Sequence, residues 1–257
     1  MKYIKKEIRH FSELAFQFSK IYFNIKTEGS YLGLFWHILN PLILFVLLLF
    51  IFRDLIGQNI EYYPVYLFLG LIIFNYFQYS TTESTSTFLN RGDLFNISNF
   101  DLRTMPVGVA LSNTFTHSLE ILILSWVMIY YGLPLYNIIF YFPVFLFILI
   151  FVTGFNLLLS AITVYIADMR IIWTYGIRLL WFATPVFYQL EKGTVVEIFN
   201  KSVNPLYYFI EASRQAVIYG QWVDAKFLLP VMVFSLGSLV FGLLVFNILS
   251  RKIPELV

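Results

Sequence analysis

Leu32-Gly33-Leu34-Phe35-Trp36-His37-Ile38-Leu39-Asn40-Pro41-Leu42-Ile43-Leu44-Phe45-Val46-Leu47-Leu48-Leu49-Phe50-Ile51-Phe52 decides the class of this protein. The stretch contains no Asp, Glu, Lys or Arg. Its 21 residues wind into a helix about 31 Å long. A bilayer's hydrocarbon core is about 30 Å thick and is crossed by about 20 mostly apolar residues. The segment therefore reads as a transmembrane helix.

The whole chain has the same character. Of 257 residues, 59% are hydrophobic and 12% are charged, against about 25% charged in a soluble domain. The net charge of +2 gives no reason to expect a nucleic-acid partner. There is no cysteine, which excludes disulfides, thiolate metal sites and cysteine nucleophiles. The three histidines, His10, His37 and His117, are scattered, and no metal site is expected. No cleavable leader is expected either, because the first 30 residues are charged and amphipathic.

Upstream of the first span, residues 3–28 read as one helix. Ile4, Ile8, Phe11, Ala15, Phe18, Tyr22 and Ile25 recur in steps of three and four and share one face. Lys5, Lys6, Arg9, Glu13, Gln17, Lys20 and Lys26 occupy the others. A basic amphipathic helix ahead of a span suits the membrane interface, and Gly29 ends it. Residues 1–30 thus form an interface helix, and 31–257 a transmembrane domain.

Five further spans follow. The second runs apolar from Tyr62 to Tyr79, then into Ser80–Thr87, which either continues as helix beyond the lipid or lines a wet surface. The third is Met105–Tyr131, with Ser112, Asn113, His117 and Glu120 in its first half. The others are Tyr136–Tyr165, Ile171–Tyr188 with Arg178 inside, and Phe227–Leu249. The fold class is all-α integral membrane with six transmembrane helices. In segment 189–225, Asn204 is a good helix cap, Pro205 fits the first helical position and Gly220 a C-terminal stop. Leu206–Tyr219 between them is too short to cross, so it reads as a re-entrant or interfacial helix that protein must cover.

Basic residues orient the chain. The side holding both termini collects Lys2, Lys5, Lys6, Arg9, Lys20, Lys26, Arg91, Arg103, Arg170, Arg251 and Lys252. The other side has Arg53, Lys192, Lys201, Arg214 and Lys226. Both termini are placed in the cytoplasm. No G-x-x-x-x-G-K-[ST] phosphate cradle occurs, nor H-E-x-x-H, G-x-S-x-G or S-x-x-K. The chain is expected to have no catalytic residues and no bound cofactor, and to draw any energy for transport from elsewhere.

Several stretches, taken in order, resemble the membrane subunits of type-2 ABC polysaccharide exporters, the group that exports O-antigen and teichoic acid. They are Ser30-Tyr31-Leu32-Gly33-Leu34-Phe35-Trp36 with Asn40-Pro41-Leu42, Leu69-Gly70-Leu71, Pro106, Asp168, Pro185-Val186-Phe187-Tyr188, and Asn204-Pro205-Leu206 with Arg214 and Gly220. The chain departs from the family where Asp101 and Leu102 follow Phe100 in place of Pro and Arg, and where Ala167 precedes Asp168. The resemblance implies a homodimer with two copies of a separate ATPase that holds ATP and Mg, exporting a lipid-linked polysaccharide through the inner membrane. It makes 90–103 a coupling segment in which Leu94, Phe95, Asn96, Ile97 and Phe100 dock on the ATPase; four large apolar residues in a polar loop agree with docking. It makes 189–225 the gate segment, with Asn204, Pro205 and Arg214. It also makes Trp36, Tyr175, Arg178, Trp181 and Tyr188 candidate channel residues, aromatic faces being suited to sliding sugars.

Some readings stay open. Arg178 either attracts a substrate phosphate, snorkels to the headgroups or pairs inside the protein. His117 and Glu120, three apart, share a helix face; a structural hydrogen bond is expected rather than a proton relay, because no second acid lies at similar depth. The alternatives are an exporter of drugs or small lipids with the same fold, an ion-coupled carrier depending on Glu120, and a membrane enzyme, for which no interfacial acidic cluster is found.

Overall fold

The computed structural model describes residues 2–27, 35–55, 57–89 and 100–253. Every regular element among them is helical: α1 Lys2–Thr27, α2 Phe35–Phe52, α3 Tyr63–Ser84, α4 Thr104–Tyr130, α5 Ile138–Tyr165, α6 Met169–Ala183, α7 Val195–Ser202, α8 Pro205–Tyr219 and α9 Ala225–Leu249. Single 3-10 turns at Gly57–Asn59, Leu135–Asn137 and Ser250–Lys252 complete the order. Among the described residues, three helical stretches are long and apolar enough to cross a membrane: Thr104–Tyr130, Leu135–Tyr165 and Ala225–Leu249.

α3 is the centre of the bundle. From Tyr63 to Phe77 it is apolar around its circumference except at Asn75, and such a helix belongs inside a protein. Tyr63 through Phe77 are all buried, enclosed by α2, α4, α5, α6 and α8. The Ser/Thr run after Tyr79 continues the helix to Ser84, with Ser80, Thr81 and Ser84 buried. Thr81 donates to the Phe77 carbonyl at 2.7 Å and Ser84 to the Asn156 carbonyl at 2.8 Å, which satisfies their hydroxyls without water.

α5 and α9 meet backbone to backbone. A Cβ on Gly242 would lie 2.2 Å from the Gly154 carbonyl oxygen, and one on Gly154 2.4 Å from Ser238 backbone. Ser235 donates to the Phe147 carbonyl at 2.8 Å and Ser238 to that of Phe151 at 3.2 Å. Small residues at the crossing replace a hydrophobic driving force that lipid does not supply. The opposite face of α9, with Leu229, Val233, Leu236, Val240 and Leu244, is exposed.

α1 packs across the first half of α4, where Gly108 leaves room for Ala15 and Phe18. Ala15 and Phe18 are buried as their periodicity predicts, but Ile8 and Ile25 of the same stripe are exposed, although α4 also reaches the end of α1 through Phe23 and Lys26.

The region after the fourth span differs most from the sequence expectation. The fifth span was expected to continue to Tyr188, but α6 stops at Ala183. Pro185 is the reason: the residue before a proline leaves the helical region, and Thr184 is extended at φ −87°, ψ 134°. α7 was not anticipated, although its signal is local. Thr194 accepts from the Glu197 amide, while the Glu197 carboxylate accepts from the Gly193 amide, close to a capping box. α8 begins as expected, with Asn204 accepting from the Leu206 amide, and Gly220 closes it in the left-handed region at φ 60°. α3, α5 and α9 enclose it.

Candidate functional site

The irregular backbone after α6 is held by side chains from several helices. Val186 is fully buried, so its neighbourhood needs internal hydrogen-bond donors. Three successive carbonyls each receive one. Arg214 Nη2 donates to Val186 O at 2.8 Å, the Tyr63 hydroxyl to Phe187 O at 3.0 Å, and the Tyr66 hydroxyl to Tyr188 O at 2.8 Å. Arg214 is itself 2% exposed and donates to Glu211 at 2.6 Å. Its guanidinium lies 3.3 Å from the centre of the Tyr66 ring. Gly70 creates the space, since a Cβ there would lie 2.8 Å from Val186 O and 2.9 Å from Arg214 Nη2.

α8 is tied to the same loop from its start. Asn204 donates to the Thr184 hydroxyl and to the Asn200 side chain, both at 2.8 Å, and Asn200 donates to the Ala183 carbonyl at 2.7 Å. Pro205 occupies the first turn of α8. The structure thus brings the anticipated Asn204, Pro205 and Arg214 together around Pro185–Tyr188. It adds Tyr63, Tyr66 and Asn200, which sequence reasoning missed. Gly70 had been visible as part of Leu69-Gly70-Leu71, but not its reason.

The five channel candidates separate. Trp36 is exposed on the first turn of α2, which packs on α3 and α4. Tyr175 and Arg178 are together on the exposed face of α6, 5.5 Å from guanidinium to ring centre. Trp181 turns inward and meets Phe74 edge-on at 4.8 Å. Tyr188 lies beyond the helix and folds back, its hydroxyl donating to the Phe182 and Ala183 carbonyls at 3.1 and 3.0 Å. Trp181 and Tyr188 are half-buried against the protein, whereas Trp36, Tyr175 and Arg178 are exposed.

Leu94, Phe95, Asn96 and Ile97 lie outside the described residues. Phe100 sits at the foot of α4 with its ring 5.4 Å from that of Phe18 on α1. Asp101 and Arg103 form a two-point pair, Nε to Oδ1 at 2.9 Å and Nη2 to Oδ2 at 2.5 Å. Partial burial pushes the Asp101 carboxyl up, but the Arg103 hydrogen bonds and charge outweigh it and hold it below the usual carboxylate range.

A second anchor joins α1 to both neighbours of this segment. Lys26 pairs with Glu83 near the end of α3 at 2.9 Å and donates to Asn113 of α4 at 3.1 Å; Asn113 donates to Glu83 at 2.9 Å. Asn156 of α5 binds the same region, donating to Ser80 of α3 at 2.9 Å and to the Pro106 carbonyl of α4 at 3.2 Å. None of these pairs shares a local spacing that a sequence could display.

His117 and Glu120 meet as their spacing predicts, at 3.1 Å, and both are almost fully buried. The other ring nitrogen of His117 is 2.8 Å from the Tyr141 hydroxyl, and the imidazole stacks on Phe145 at 4.8 Å. The cluster fastens α4 to α5. Among the described residues, no group of three His, Cys, Asp or Glu side chains is placed to hold a metal ion.

Known proteins align along most of the chain. The profile of the family described as "ABC-2 type transporter" matches residues 20–218. The O-antigen export system permease protein RfbA of Myxococcus xanthus is 29% identical over 217 residues, covering 83% of this chain and 82% of that protein. The protein of the same name from Klebsiella pneumoniae is 25% identical over 251 residues, covering 90% of each.

Proposed function

This chain belongs to the ABC-2 type transporter family, and from that premise we propose that it exports a lipid-linked polysaccharide of the O-antigen type outward across the cytoplasmic membrane. It is the transmembrane subunit of a polysaccharide exporter. The observation that carries this reading is the breadth of the match: permeases of O-antigen export align with 83–90% of this chain and with a like share of their own length. The family match itself runs through residues 20–218, the Pro185–Tyr188 loop included. The sequence offers no phosphate cradle, and the family association assigns ATP hydrolysis to a separate ATP-binding partner.

In the proposed complex, two copies of the chain stand side by side with two ATPase subunits, which hold ATP and Mg. Six spans place both termini in the cytoplasm. Segment 90–103 and the end of α1 receive the movement of the ATPase. Lys26, Glu83 and Asn113 tie α1, α3 and α4 into one body there, so a push on the segment reaches all three helices. α3 then runs about 33 Å to Tyr63 and Tyr66, which grip the Pro185–Tyr188 loop at its other end. The loop and α8 act as the outer gate. The exposed Tyr175 and Arg178 of α6 support a pathway along that helix, because a cation on an otherwise apolar helix face is costly against lipid.

The test is reconstitution with the separate ATP-binding partner subunit. Vesicles holding both should deliver labelled polymer to the far side when ATP and Mg are supplied. The purified chain alone should not hydrolyse ATP. Hydrolysis by the chain alone, or delivery without the ATPase, would overturn the reading.

A further inference from the structure

The apolar stripe of α1 runs past the helix that buries it. Ala15 and Phe18 are sealed against α4. Ile8 and Phe11 continue the same face toward the N-terminus, yet Ile8 is 64% exposed. Beside them opens a cavity of about 770 Å³, within the ~300–1,000 Å³ range of ligand sites. Its floor comes from α5 and α9 and includes Leu157, Leu239 and Leu243.

The rim has a different chemistry. Lys6, Glu7 and His10 of α1 face it from one side, Asp101 and Arg103 from the foot of α4. Two permanent cations are thus matched by two carboxylates. Arg103 uses Nε and Nη2 on Asp101, leaving Nη1 for a further acceptor. An apolar floor calls for hydrocarbon. The balanced rim calls for a headgroup carrying both signs, and a purely anionic one would set its charge against Glu7 and Asp101. A primary ammonium can donate several hydrogen bonds to those carboxylates, which a quaternary one cannot.

We propose that this cavity binds one phospholipid of the phosphatidylethanolamine class. Its phosphate meets Lys6 and Arg103, its ammonium meets Glu7 and Asp101, and one acyl chain lies along Leu157, Leu239 and Leu243 beneath α1. The lipid completes the burial of Ile8 and Phe11 and wedges α1 at a fixed angle beside Phe100. The proposal rests on the membrane reading of the chain, but its test is a binding measurement independent of export.

The full chain, purified in mild detergent, is mixed with equal amounts of dioleoyl phosphatidylethanolamine, phosphatidylcholine and phosphatidylglycerol, and its retained lipids are counted by native mass spectrometry. One phosphatidylethanolamine per chain should be retained, favoured by at least about tenfold over the other two. Leu239→Trp fills the floor and should abolish this retention; Leu243→Trp does the same should the first variant fail to fold. Glu7→Lys, at an exposed position, should shift the preference to phosphatidylglycerol. Equal retention of all three lipids, or undiminished retention in the folded filled variants, overturns the proposal. Displacement by a polyprenyl phosphate at lower concentration than phosphatidylethanolamine also overturns it, and gives the cavity to the lipid of the export substrate.

Discussion

Replacing Arg214 by Met tests whether the Pro185–Tyr188 loop is held as described. Methionine keeps much of the length and packing of the side chain but removes every donor. Val186 O then loses a charged hydrogen bond of 2.8 Å inside the protein, and Glu211 loses its cation at 2.6 Å. Removing one partner of a fully buried pair costs about 3–5 kcal/mol. Glu211 is 26% exposed and can turn to water, so the loss of the Val186 contact dominates, at about 2–3 kcal/mol. That corresponds to an increase of about 30- to 150-fold in the open population of the loop. The absence of cysteine makes the assay direct. A single Val186→Cys reporter, buried in the native loop, should react slowly with a water-soluble maleimide and faster by that factor when Arg214→Met is added. Arg214→Lys should fall between, since an ammonium cannot serve the forked geometry. An unchanged labelling rate in inserted, folded Arg214→Met protein would refute the reasoning.

Three further outcomes follow from other contacts. Gly242→Ala drives a Cβ to 2.2 Å from the Gly154 carbonyl oxygen and should destabilise by about 1–3 kcal/mol, read as a lowered thermal midpoint in detergent, whereas Gly237→Ala, which meets nothing within 4 Å, should not lower it. Glu120→Gln retains hydrogen bonding to His117 and should still export polymer in cells and in vesicles with a proton ionophore, because an ATP-driven exporter needs no titrating carboxylate; loss of transport in both experiments with ATP present would instead favour an ion-coupled carrier. Asp101, held low by Arg103, contributes stability that is present above the ordinary carboxylate range and lost as pH falls through its lowered folded value; the thermal-midpoint gap between wild type and Asp101→Asn should therefore close in acid, and a gap that widens there would contradict the pairing.

The long helices were legible because lipid leaves them little choice. A backbone that cannot reach water must be helical and apolar for many residues in succession, as in α4, α5 and α9. Asn204, Pro205 and Gly220 were legible because a cap is a local device. Their neighbour Thr194, with Glu197 three residues on, carries an equally local signal, overshadowed by the long apolar runs on either side. Pro185 lay inside an apolar run, and the run's length hid the break. The donors that hold the loop were not legible at all. Tyr63 reaches Phe187 across 124 positions of sequence, and Arg214 reaches Val186 across 28. Nothing local distinguishes those tyrosines from others that anchor helices at a membrane surface. The cavity under α1 escaped for the opposite reason: the stripe from Ile4 to Ile25 is regular, and only the way α4, α5 and α9 pack beneath it leaves part of it without a cover.

α3 is one helix gripped at both ends, by Lys26 through Glu83 near its last turn and by the Pro185–Tyr188 loop at its first. Such a part has no preferred direction of signalling. In the proposed exporter, nucleotide on the ATPase favours one setting of the loop through α3. Thermodynamic linkage then requires that polymer lodged against the loop change nucleotide affinity by the same factor. The exporter would thereby sense its own cargo: an occupied mouth retunes the ATPase from the far side of the bilayer, with no receptor other than the central helix.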